Sequence, residues 1–474
     1  MSTVSDAQEP RGLEIPSGIL DVDPEELRRL GHWVVDRTIE HITTLNDRPA
    51  ISVMDYVDLD TALGGPLPID GAPIDEGLTL LADVALENQQ HGDHPRYFAR
   101  VPGPSSYAAI LGEWLATGMQ GIASSWGGGS GTATIELVVL EWLREALGLA
   151  QGSEGVLLSG GSMANTTALI TARAHVGDGV IYLSDQTHSS IKRGILAMGQ
   201  HPDLVRVLPT GDDFRLAPET LRAALVADLT AGLVPRIVVA TAGTTNTGAI
   251  DDLPGIAGVC REFGLWFHVD GAYGGPAALV EDRNGIYGLE LADSFVLDPH
   301  KWLFQPYDVA CLFVAVPGAL YKTFAMHPEY LADAQGGPVD FHNRSLELTR
   351  RSRAAKLWLT LRTYGVRTLA DAIQRGIALA EYAESEVANH PSLELVTPAQ
   401  LGVVTFAGLG VSPEGHSRAT AALTANGFAA VTCTQLHGRT VVRLCTINPR
   451  TSTTDISQTV SDIADALSTE ALNP

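Results

Sequence analysis

Lys301 and Asp270 are the residues whose types and positions point most clearly to chemistry. Lys301 lies in the segment DPHKW, which directly follows the apolar run SFVL. Such a run is typical of a buried strand. Asp270 ends a second apolar run, LWFHV, and precedes the small-residue segment GAYGG. A lysine amine can form a Schiff base with an aldehyde, and a carboxylate can keep a heterocyclic nitrogen protonated. The pair therefore predicts the chemistry of pyridoxal 5'-phosphate (PLP).

The segment Ser159-Gly160-Gly161-Ser162 lies between a predicted strand and a predicted helix. Glycines let a ligand approach the backbone, and a helix N-terminus offers free N–H groups to a phosphate. The segment matches neither the P-loop pattern nor GxGxxG, and a Gly-Gly pair before a helix is by itself more often a plain turn.

Three runs, HVDGAYGG, DSFVLDPHKW and GVLLSGGSMAN, resemble the group II PLP-dependent amino-acid decarboxylases. This is the family of the aromatic-amino-acid, glutamate and histidine decarboxylases. The likeness extends in order from about His94 to the segment VRLCTINPR, which ends at Arg450. It implies the PLP-dependent transferase fold, which is aspartate aminotransferase-like, and an enzyme that converts an L-amino acid to its amine and CO₂.

The resemblance also assigns phosphate-binding residues. Gly161 and Ser162 would hold the cofactor phosphate, and Thr245 in the segment GTT would assist them. His300 would contact the phosphate or the Schiff-base region. A carboxy-lyase of this kind needs no metal, and the resemblance implies none.

Around the cofactor ring the resemblance assigns four residues. Lys301 would carry the Schiff base, and Asp270 would pair with the ring nitrogen so that the ring accepts electrons. His188 would stack on the ring near the substrate carboxylate, and Ala272 would lie beneath the ring.

Tyr330 is the candidate for the final proton transfer. It stands in the segment FAMHPEYL, which resembles the catalytic loop of the family's decarboxylases. Loss of CO₂ leaves an α-carbon that must be reprotonated, and a tyrosine hydroxyl is protonated at neutral pH. Family members with phenylalanine at this position tend to react with oxygen and give an aldehyde.

The substrate pocket is defined less clearly. By resemblance, the residues that line the substrate side chain are Arg100, Val101, Pro102, Ile122 and Ser124. Val101 and Ser124 stand where aromatic-amino-acid decarboxylases often carry aromatic residues, which leaves the substrate's side chain open. Arg100 either faces solvent or meets an acidic substrate group, and Arg353 either meets an anion or belongs to an exposed basic run.

The composition favours a soluble enzyme. The chain of 474 residues has 18% charged residues and a formal net charge of −24 at pH 7, which disfavours nucleic acid and anionic membranes as partners. No apolar run is long enough for a transmembrane helix, and no secretory signal is visible. The four scattered cysteines fit neither a metal site nor a disulfide framework, so we expect a cytoplasmic protein.

Seven short apolar runs alternate with helical patterns between residues 155 and 316. They predict strands at residues 155–158, 180–183, 204–208, 237–242, 266–269, 295–297 and 311–316. Such alternation is typical of an α/β fold with a doubly wound, mainly parallel sheet, in which ligands bind beyond the carboxyl ends of the strands.

We expect three regions along the chain. Residues 1–100 form an N-terminal helical segment that packs on a partner subunit, residues 101–379 the large PLP-binding domain, and residues 380–474 a small α+β domain. The resemblance implies a homodimer with shared active sites.

Other functions remain open on the same residues. A different PLP activity, such as an aldehyde synthase, an aminotransferase or a desulfurase, would use the same scaffold. An inactive homologue could act as a binding protein, although it would be free to lose Lys301, Asp270, His188 or Tyr330. A zinc hydrolase built on His91 and His94 lacks a third ligand at a suitable spacing.

Overall fold

The computed structural model describes residues 22–281, 285–326 and 337–472. The chain divides into two compact units, Met1–Gln89 and Gln90–Pro474. Tyr330 lies outside the described residues, so its predicted role is not addressed by the geometry below.

The described part of the first unit is helical but has almost no core. It contains α1 (Pro24–Thr44), α2 (Tyr56–Leu63) and α3 (Ile74–Leu80), and a π-helical turn at Leu81–Ala85 continues α3. Asp23 caps the start of α1, because its carboxylate accepts a hydrogen bond from the N–H of Glu25 at 3.2 Å. Among the described residues of this unit, only Leu45 and Ala50 are buried.

The second unit contains a seven-stranded sheet with the strand order β1-β7-β6-β5-β4-β2-β3. All seven predicted strands are present: β1 (Glu154–Leu158), β2 (Val180–Ser184), β3 (Val205–Leu208), β4 (Pro235–Thr241), β5 (Trp266–Asp270), β6 (Ser294–Leu297) and β7 (Ala310–Val314). Neighbouring strands from β3 to β6 are parallel, whereas β7 runs antiparallel to both β6 and β1. Every residue of β2, β5, β6 and β7 is buried, which explains their continuous apolar runs.

Helices connect and cover these strands. They are α4 (Tyr107–Gly118), α5 (Ser130–Ala146), α6 (Gly161–Val176), α7 (Ser189–Ala197), α8 (Pro218–Thr230), α9 (Leu253–Phe263), the single turn α10 (Pro299–Trp302) and α11 (Ala319–Phe324). The helices and the sheet share one large cluster of buried apolar side chains. The predicted α/β fold class is confirmed.

A second sheet follows the long helix α12 (Ala354–Ala388), which is interrupted at Gly365 by a positive φ of 72°. Its strands β8 (Leu393–Gln400), β9 (Val403–Gly408), β10 (Thr432–Leu436) and β11 (Arg439–Cys445) are antiparallel, in the order β10-β11-β9-β8. Two helices, α13 (Pro413–Ala425) and α14 (Thr453–Leu472), contact each other beside it. The apolar face of α14 is buried in a separate cluster, through Ile456, Val460, Ile463 and Leu467.

Candidate active site

The candidate site lies at one edge of the large sheet, where several strands end together. Asp270, at the end of β5, pairs with Thr241, the last residue of β4. The end of β6 pairs with the start of the reversed β7 through Leu297 and Cys311. This edge is the carboxyl end of the parallel strands, where α/β sheets bind their ligands.

A cavity of 470 Å³ opens at this edge, within the usual size range of small-molecule sites. All eight predicted cofactor residues line it: Gly161, Ser162, His188, Thr245, Asp270, Ala272, His300 and Lys301. Residues from five separate segments of the chain therefore converge on one space.

Lys301 lies on α10, one turn after Asp298, the residue that precedes this helix. The Lys301 Nζ atom is 3.0 Å from Asp298 Oδ2, and the His300 Nε2 atom is 3.5 Å from the same oxygen. Burial favours a neutral amine, but the charge of Asp298, its hydrogen bond to Nζ and the charge of Asp270 together outweigh burial and hold the pKa of Lys301 above its usual value. The lysine amine is thus an ammonium held in the cavity.

Asp270 is fixed by two hydrogen bonds. Its Oδ2 accepts from the side-chain amide of Asn165 at 3.0 Å, and its Oδ1 accepts from the N–H of Ala272 at 3.1 Å. The carboxylate is almost fully buried, with 4% of the residue exposed. A fixed carboxylate that lines a cavity is suited to pair with a protonated ring nitrogen.

A chain of polar side chains behind Asp270 holds Asn165 in place. His268 lies two residues before Asp270 on β5, and its Nε2 is 3.0 Å from Asn165 Oδ1. Its Nδ1 is 2.8 Å from Ser294 Oγ, which also accepts from Trp266 Nε1. Burial lowers the pKa of His268 to about 4, so the imidazole is neutral at physiological pH.

His188 lies at the N-terminus of α7, where it caps the helix and also lines the cavity. Its Nδ1 accepts from the N–H of Ser190 at 3.2 Å, which caps the helix, and lies 2.9 Å from Ser190 Oγ. Burial lowers the pKa of His188 below its usual value, although Asp270 opposes the shift. A neutral imidazole with one nitrogen already engaged can lie flat against an aromatic ring.

The N-terminus of α6 lines the cavity and has features that suit a phosphate. Gly160 precedes the helix with a φ of 152°, a conformation that residues with a Cβ rarely adopt, and the 16-residue helix begins at Gly161. A Cβ on Gly161 would lie 2.8 Å from Asp298 Oδ2 and 3.2 Å from the Ala272 Cβ. The close packing requires glycine here, and the free N–H groups and dipole of α6 favour an anion.

The predicted substrate residues do not line this cavity. Val101 is partly buried and packs against the large core, Pro102 is buried, and Arg100 is exposed. The segment is nevertheless tied to the cavity, because the buried guanidinium of Arg443 donates to the carbonyls of both Arg100 and Thr245.

Ile122 and Ser124 lie elsewhere in the chain. Ile122 lines a different cavity of 400 Å³, between the end of α4 and residues 349–352. Ser124 is buried, and its Oγ accepts from the N–H of Arg350 at 2.8 Å. Within one chain these residues are thus separated from the candidate cofactor site.

Arg353 is not part of an exposed run. Its side chain is 9% exposed and pairs with Glu347 at 2.7 Å and with Asp308 at 3.2 Å. The anions that it meets are carboxylates of this chain, and the ion pairs fix the start of α12.

Sequence reasoning missed four residues of the site region: Asn165, His268, Asp298 and Arg443. Two of them had local signals. Asp298 lies three residues before Lys301, a spacing that places both on one helical turn, and His268 shares a strand face with Asp270. Asn165 and Arg443 reach the site only through contacts between distant segments, which no local pattern predicts.

A lysine and a buried carboxylate in one cavity, beside a glycine-lined helix N-terminus, define the site of a PLP enzyme on an α/β scaffold. The residues fit this cofactor: Lys301 would supply the amine, Asp270 the charge for the ring nitrogen, and the start of α6 the phosphate site.

Comparison with known proteins agrees. A sequence model of the pyridoxal-dependent decarboxylase conserved domain matches residues 68–408. An aromatic-L-amino-acid decarboxylase from Bacillus atrophaeus is 39% identical over 461 residues, covering 94% of this chain and 96% of the relative. A phenylacetaldehyde synthase from Petunia hybrida is 33% identical over 406 residues, covering 81% and 80% of the two chains.

Among solved structures, Oryza sativa TDC with PLP and tryptamine superposes with a TM-score of 0.89 at 29% identity, covering 94% of this chain and 99% of that one. This chain belongs to the pyridoxal-dependent decarboxylase family. It is a PLP-dependent carboxy-lyase. None of the described helices combines the length and apolar character needed to cross a lipid bilayer.

Proposed function

We propose that this enzyme decarboxylates an aromatic L-amino acid to the corresponding amine, with Lys301, Asp270, His188 and Tyr330 as its catalytic residues. The observation that carries the proposal is the convergence of Lys301 and Asp270 on one cavity beside the N-terminus of α6. The named activity of the 39% identical relative supports an aromatic substrate.

The bound cofactor supplies an electron sink for the pair of electrons that remains when CO₂ leaves the substrate. Asp270 contributes its negative charge at the ring nitrogen, and its hydrogen bonds to Asn165 and Ala272 keep it aimed there. Lys301 Nζ would hold the cofactor covalently, and it would take up or release a proton as the substrate amine arrives and the product amine leaves.

His188 lines the same cavity and is assigned the role of orienting the substrate. Since its pKa is lowered by burial, it presents a neutral ring rather than a cation. A neutral imidazole adds no positive charge that would oppose the effect of Asp270 on the ring nitrogen, and its free nitrogen can contact the substrate carboxylate.

Tyr330 gives its hydroxyl proton to the α-carbon once CO₂ has left. This assignment rests on the likeness of the segment FAMHPEYL to the family's catalytic loop. An aldehyde synthase is the second candidate, because synthases of this kind are among the relatives at 33% identity. A tyrosine at position 330 favours the amine-forming reaction.

The enzyme is proposed to be a homodimer in which Ile122 and Ser124 of each chain complete the cavity of the partner. Exposed apolar side chains on α4 and directly after it support this arrangement, among them Leu115 at 62% and Met119 at 79% exposure. Large exposed apolar surfaces usually mark an interface.

The cytoplasm is the proposed location. All four cysteines are unpaired thiols, and Cys260, Cys311 and Cys445 are buried. A chain without disulfides is suited to a reducing compartment. Microscopy of a fluorescently tagged chain tests the location.

The activity is tested by a substrate screen. The purified enzyme, loaded with PLP, is incubated with each common amino acid, and CO₂ and amines are scored by mass spectrometry. We expect amine from one or more aromatic substrates. Absence of CO₂ from every amino acid contradicts the decarboxylation, and release from acidic amino acids alone contradicts the substrate class.

The lysine assignment is tested by borohydride reduction followed by peptide mapping. The cofactor adduct is expected on Lys301 and absent from Lys301→Ala. Lys322→Ala is the matched control, because Lys322 is exposed on α11 and should leave the adduct unchanged. An adduct on any other lysine of the unaltered enzyme refutes the assignment.

A further inference from the structure

We infer that Asp298 is the counterion of the Lys301 nitrogen and keeps this nitrogen protonated both before and after the cofactor is bound. Asp298 is thus a positioning residue that acts through Lys301. The inference goes beyond the proposed function and rests on the proposed covalent role of Lys301.

The first observation is the geometry of the pair. Asp298 Oδ2 lies 3.0 Å from Lys301 Nζ, and the Asp298 side chain is only 3% exposed. The backbone fixes both residues, because the N–H of Lys301 donates to the carbonyl of Asp298 at 3.0 Å. The N–H of Asp298 donates in turn to the carbonyl of Ala272 at 3.1 Å, next to Asp270.

The second observation is that the Asp298 carboxylate has few other partners among the described residues. Its Oδ1 is buried and accepts no hydrogen bond from the described residues, whereas both oxygens of Asp270 are engaged. A buried carboxylate with a free oxygen is costly unless a cation balances its charge. Lys301 is the cation in contact with it.

His300 does not replace Lys301 as the partner of Asp298. Its Nδ1 accepts from the N–H of Val309 at 3.2 Å, so the neutral ring carries its proton on Nε2, which faces Asp298 at 3.5 Å. Burial lowers the pKa of His300 below its usual value, and the ring is therefore neutral. It can donate to the carboxylate without cancelling its charge.

Several other titratable groups interact electrostatically with Lys301 and Asp298. Besides His300, the titratable groups that interact with Lys301 or Asp298 are Asp270, Tyr307, His188 and Cys311. The thiol of Cys311 and the phenol of Tyr307 have raised pKa values because of burial and are neutral. Asp270 is committed to Asn165 and Ala272, which leaves Asp298 as the anion in direct contact with Nζ.

A rival role for Asp298 follows from its other neighbour. The start of α6 packs on the same carboxylate, since a Cβ on Gly161 would lie 2.8 Å from Oδ2. If the phosphate of the cofactor displaced Lys301 as the partner, Asp298 would have to be protonated and donate to a phosphate oxygen. The two roles predict opposite effects of removing the charge.

The test compares the unaltered enzyme with Asp298→Asn, both loaded with PLP. The visible absorption of the bound cofactor reports whether the Lys301 nitrogen carries a proton, and it is followed as pH is raised. We expect the unaltered enzyme to keep the protonated form well above neutrality. Asp298→Asn should lower the midpoint by at least about one pH unit, a tenfold loss of proton affinity.

Asp308→Asn is the matched control. It removes a carboxylate from the same connection between β6 and β7, but Asp308 pairs with Arg353 and not with Lys301. Its midpoint should equal that of the unaltered enzyme. An equal shift in both variants would mean that Asp298 acts only through the total charge, which overturns the inference.

Further outcomes distinguish a failure of the covalent role of Lys301 from a failure of the counterion role of Asp298. Borohydride mapping of both enzymes comes first, and an adduct away from Lys301 refutes the proposed role of the lysine itself. An adduct on Lys301 with an unchanged midpoint overturns only the inference about Asp298. An unchanged midpoint with tighter cofactor binding would instead assign Asp298 to the phosphate.

The inference can also fail without any variant. If the unaltered enzyme loses the proton below neutral pH, Asp298 does not hold it, whether or not Asp298→Asn folds.

Discussion

His268 and Asp270 occupy the same face of β5, and this alternation gives the site its polar interior. The pair connects the cavity to Asn165, Ser294 and Trp266 through hydrogen bonds of 2.8 to 3.0 Å. A fully satisfied buried network of this kind is rigid, and losing one member leaves the others unpaired. The orientation of Asp270 therefore depends on a histidine that does not line the cavity.

This network predicts an acid-sensitive fold. The folded cofactor-free enzyme keeps His268 neutral down to a pKa of about 4, whereas the unfolded chain takes up that proton near pH 6.5. The unfolded state thus binds more protons in this window, and stability falls as pH falls. Between pH 7 and pH 5 this histidine should contribute a loss of about 2 kcal/mol in the free energy of unfolding.

Urea denaturation at the two pH values measures the effect. His268→Gln should reduce the pH dependence by about that amount, since glutamine does not titrate. His201→Gln, at an exposed histidine, is the control and should leave the dependence intact. An unaltered dependence in His268→Gln would show that other groups cause the acid sensitivity.

Tyr330 determines the fate of the α-carbon in the proposed reaction. Tyr330→Phe removes the hydroxyl proton, so the reactive carbon persists longer and encounters oxygen. The product should change from amine towards aldehyde, with oxygen consumed. Product ratios by mass spectrometry and an oxygen electrode measure the change, and an unchanged ratio removes Tyr330 from this role.

At the residue scale, local motifs predicted the cofactor side of the site better than the substrate side. The eight cofactor residues follow strand ends, and strand ends of a parallel sheet share one edge. Arg100 and Ile122 lie in segments whose positions depend on tertiary packing. Their separation from the cavity within one chain could not be read from the sequence.

At the scale of elements, helix α6 brings its N-terminus to the cavity, where we propose that it binds the phosphate. Its first residue, Gly161, packs against Asp298 and Ala272 at distances that exclude a side chain. The helix dipole and free N–H groups act only if the ligand can approach this closely. Glycine is needed here for space rather than for flexibility.

Gly161→Ala should therefore weaken PLP binding by tenfold or more, because the added methyl group forces Asp298 and the helix apart. Gly258→Ala is the matched control. Gly258 lies within α9 with no atom near its missing Cβ, and alanine there should leave PLP affinity unchanged and stabilise the fold by about 0.5–1 kcal/mol. Equilibrium titration with PLP and thermal unfolding measure both effects, and undiminished affinity in Gly161→Ala contradicts the phosphate assignment.

The sequence predicted the seven strands of the large sheet but not their order. Short apolar runs indicate burial, and burial is the same whether the neighbouring strand is parallel or antiparallel. The insertion of the reversed β7 between β1 and β6 depends on pairing between segments about 150 residues apart. Such pairing has no signature in local periodicity.

At the scale of the molecule, the first unit exposes much of its apolar surface. Val53, Leu67 and Ile69 are each more than 80% exposed, and only Leu45 and Ala50 are buried among its described residues. A segment with so small a core gains little stability from its own packing. This observation agrees with the expectation that residues 1–100 pack on a partner subunit.

Shared active sites predict complementation between two inactive variants. Lys301→Ala and Ile122→Arg should each be inactive alone, because each damages both sites of its own dimer. Unfolded together and refolded at equal amounts, they should regain about a quarter of the unaltered activity, as half the dimers are mixed and each has one intact site.

Size-exclusion chromatography with light scattering first checks that both variants remain dimers. The decarboxylase assay then measures the recovered activity. If the mixture stays inactive although mixed dimers form, Ile122 does not serve the site of the partner.

The reversed direction of β7 has a mechanical consequence. The chain leaves the sheet at Leu297 and re-enters it at Ala310, and these ends are held by adjacent paired strands. The connection that carries Lys301 is therefore anchored at both ends by paired strands, which restricts the movement of its backbone. Any movement of the Lys301 nitrogen during turnover must therefore come from rotation about the side-chain bonds of Lys301 and from tilting of the cofactor attached to it.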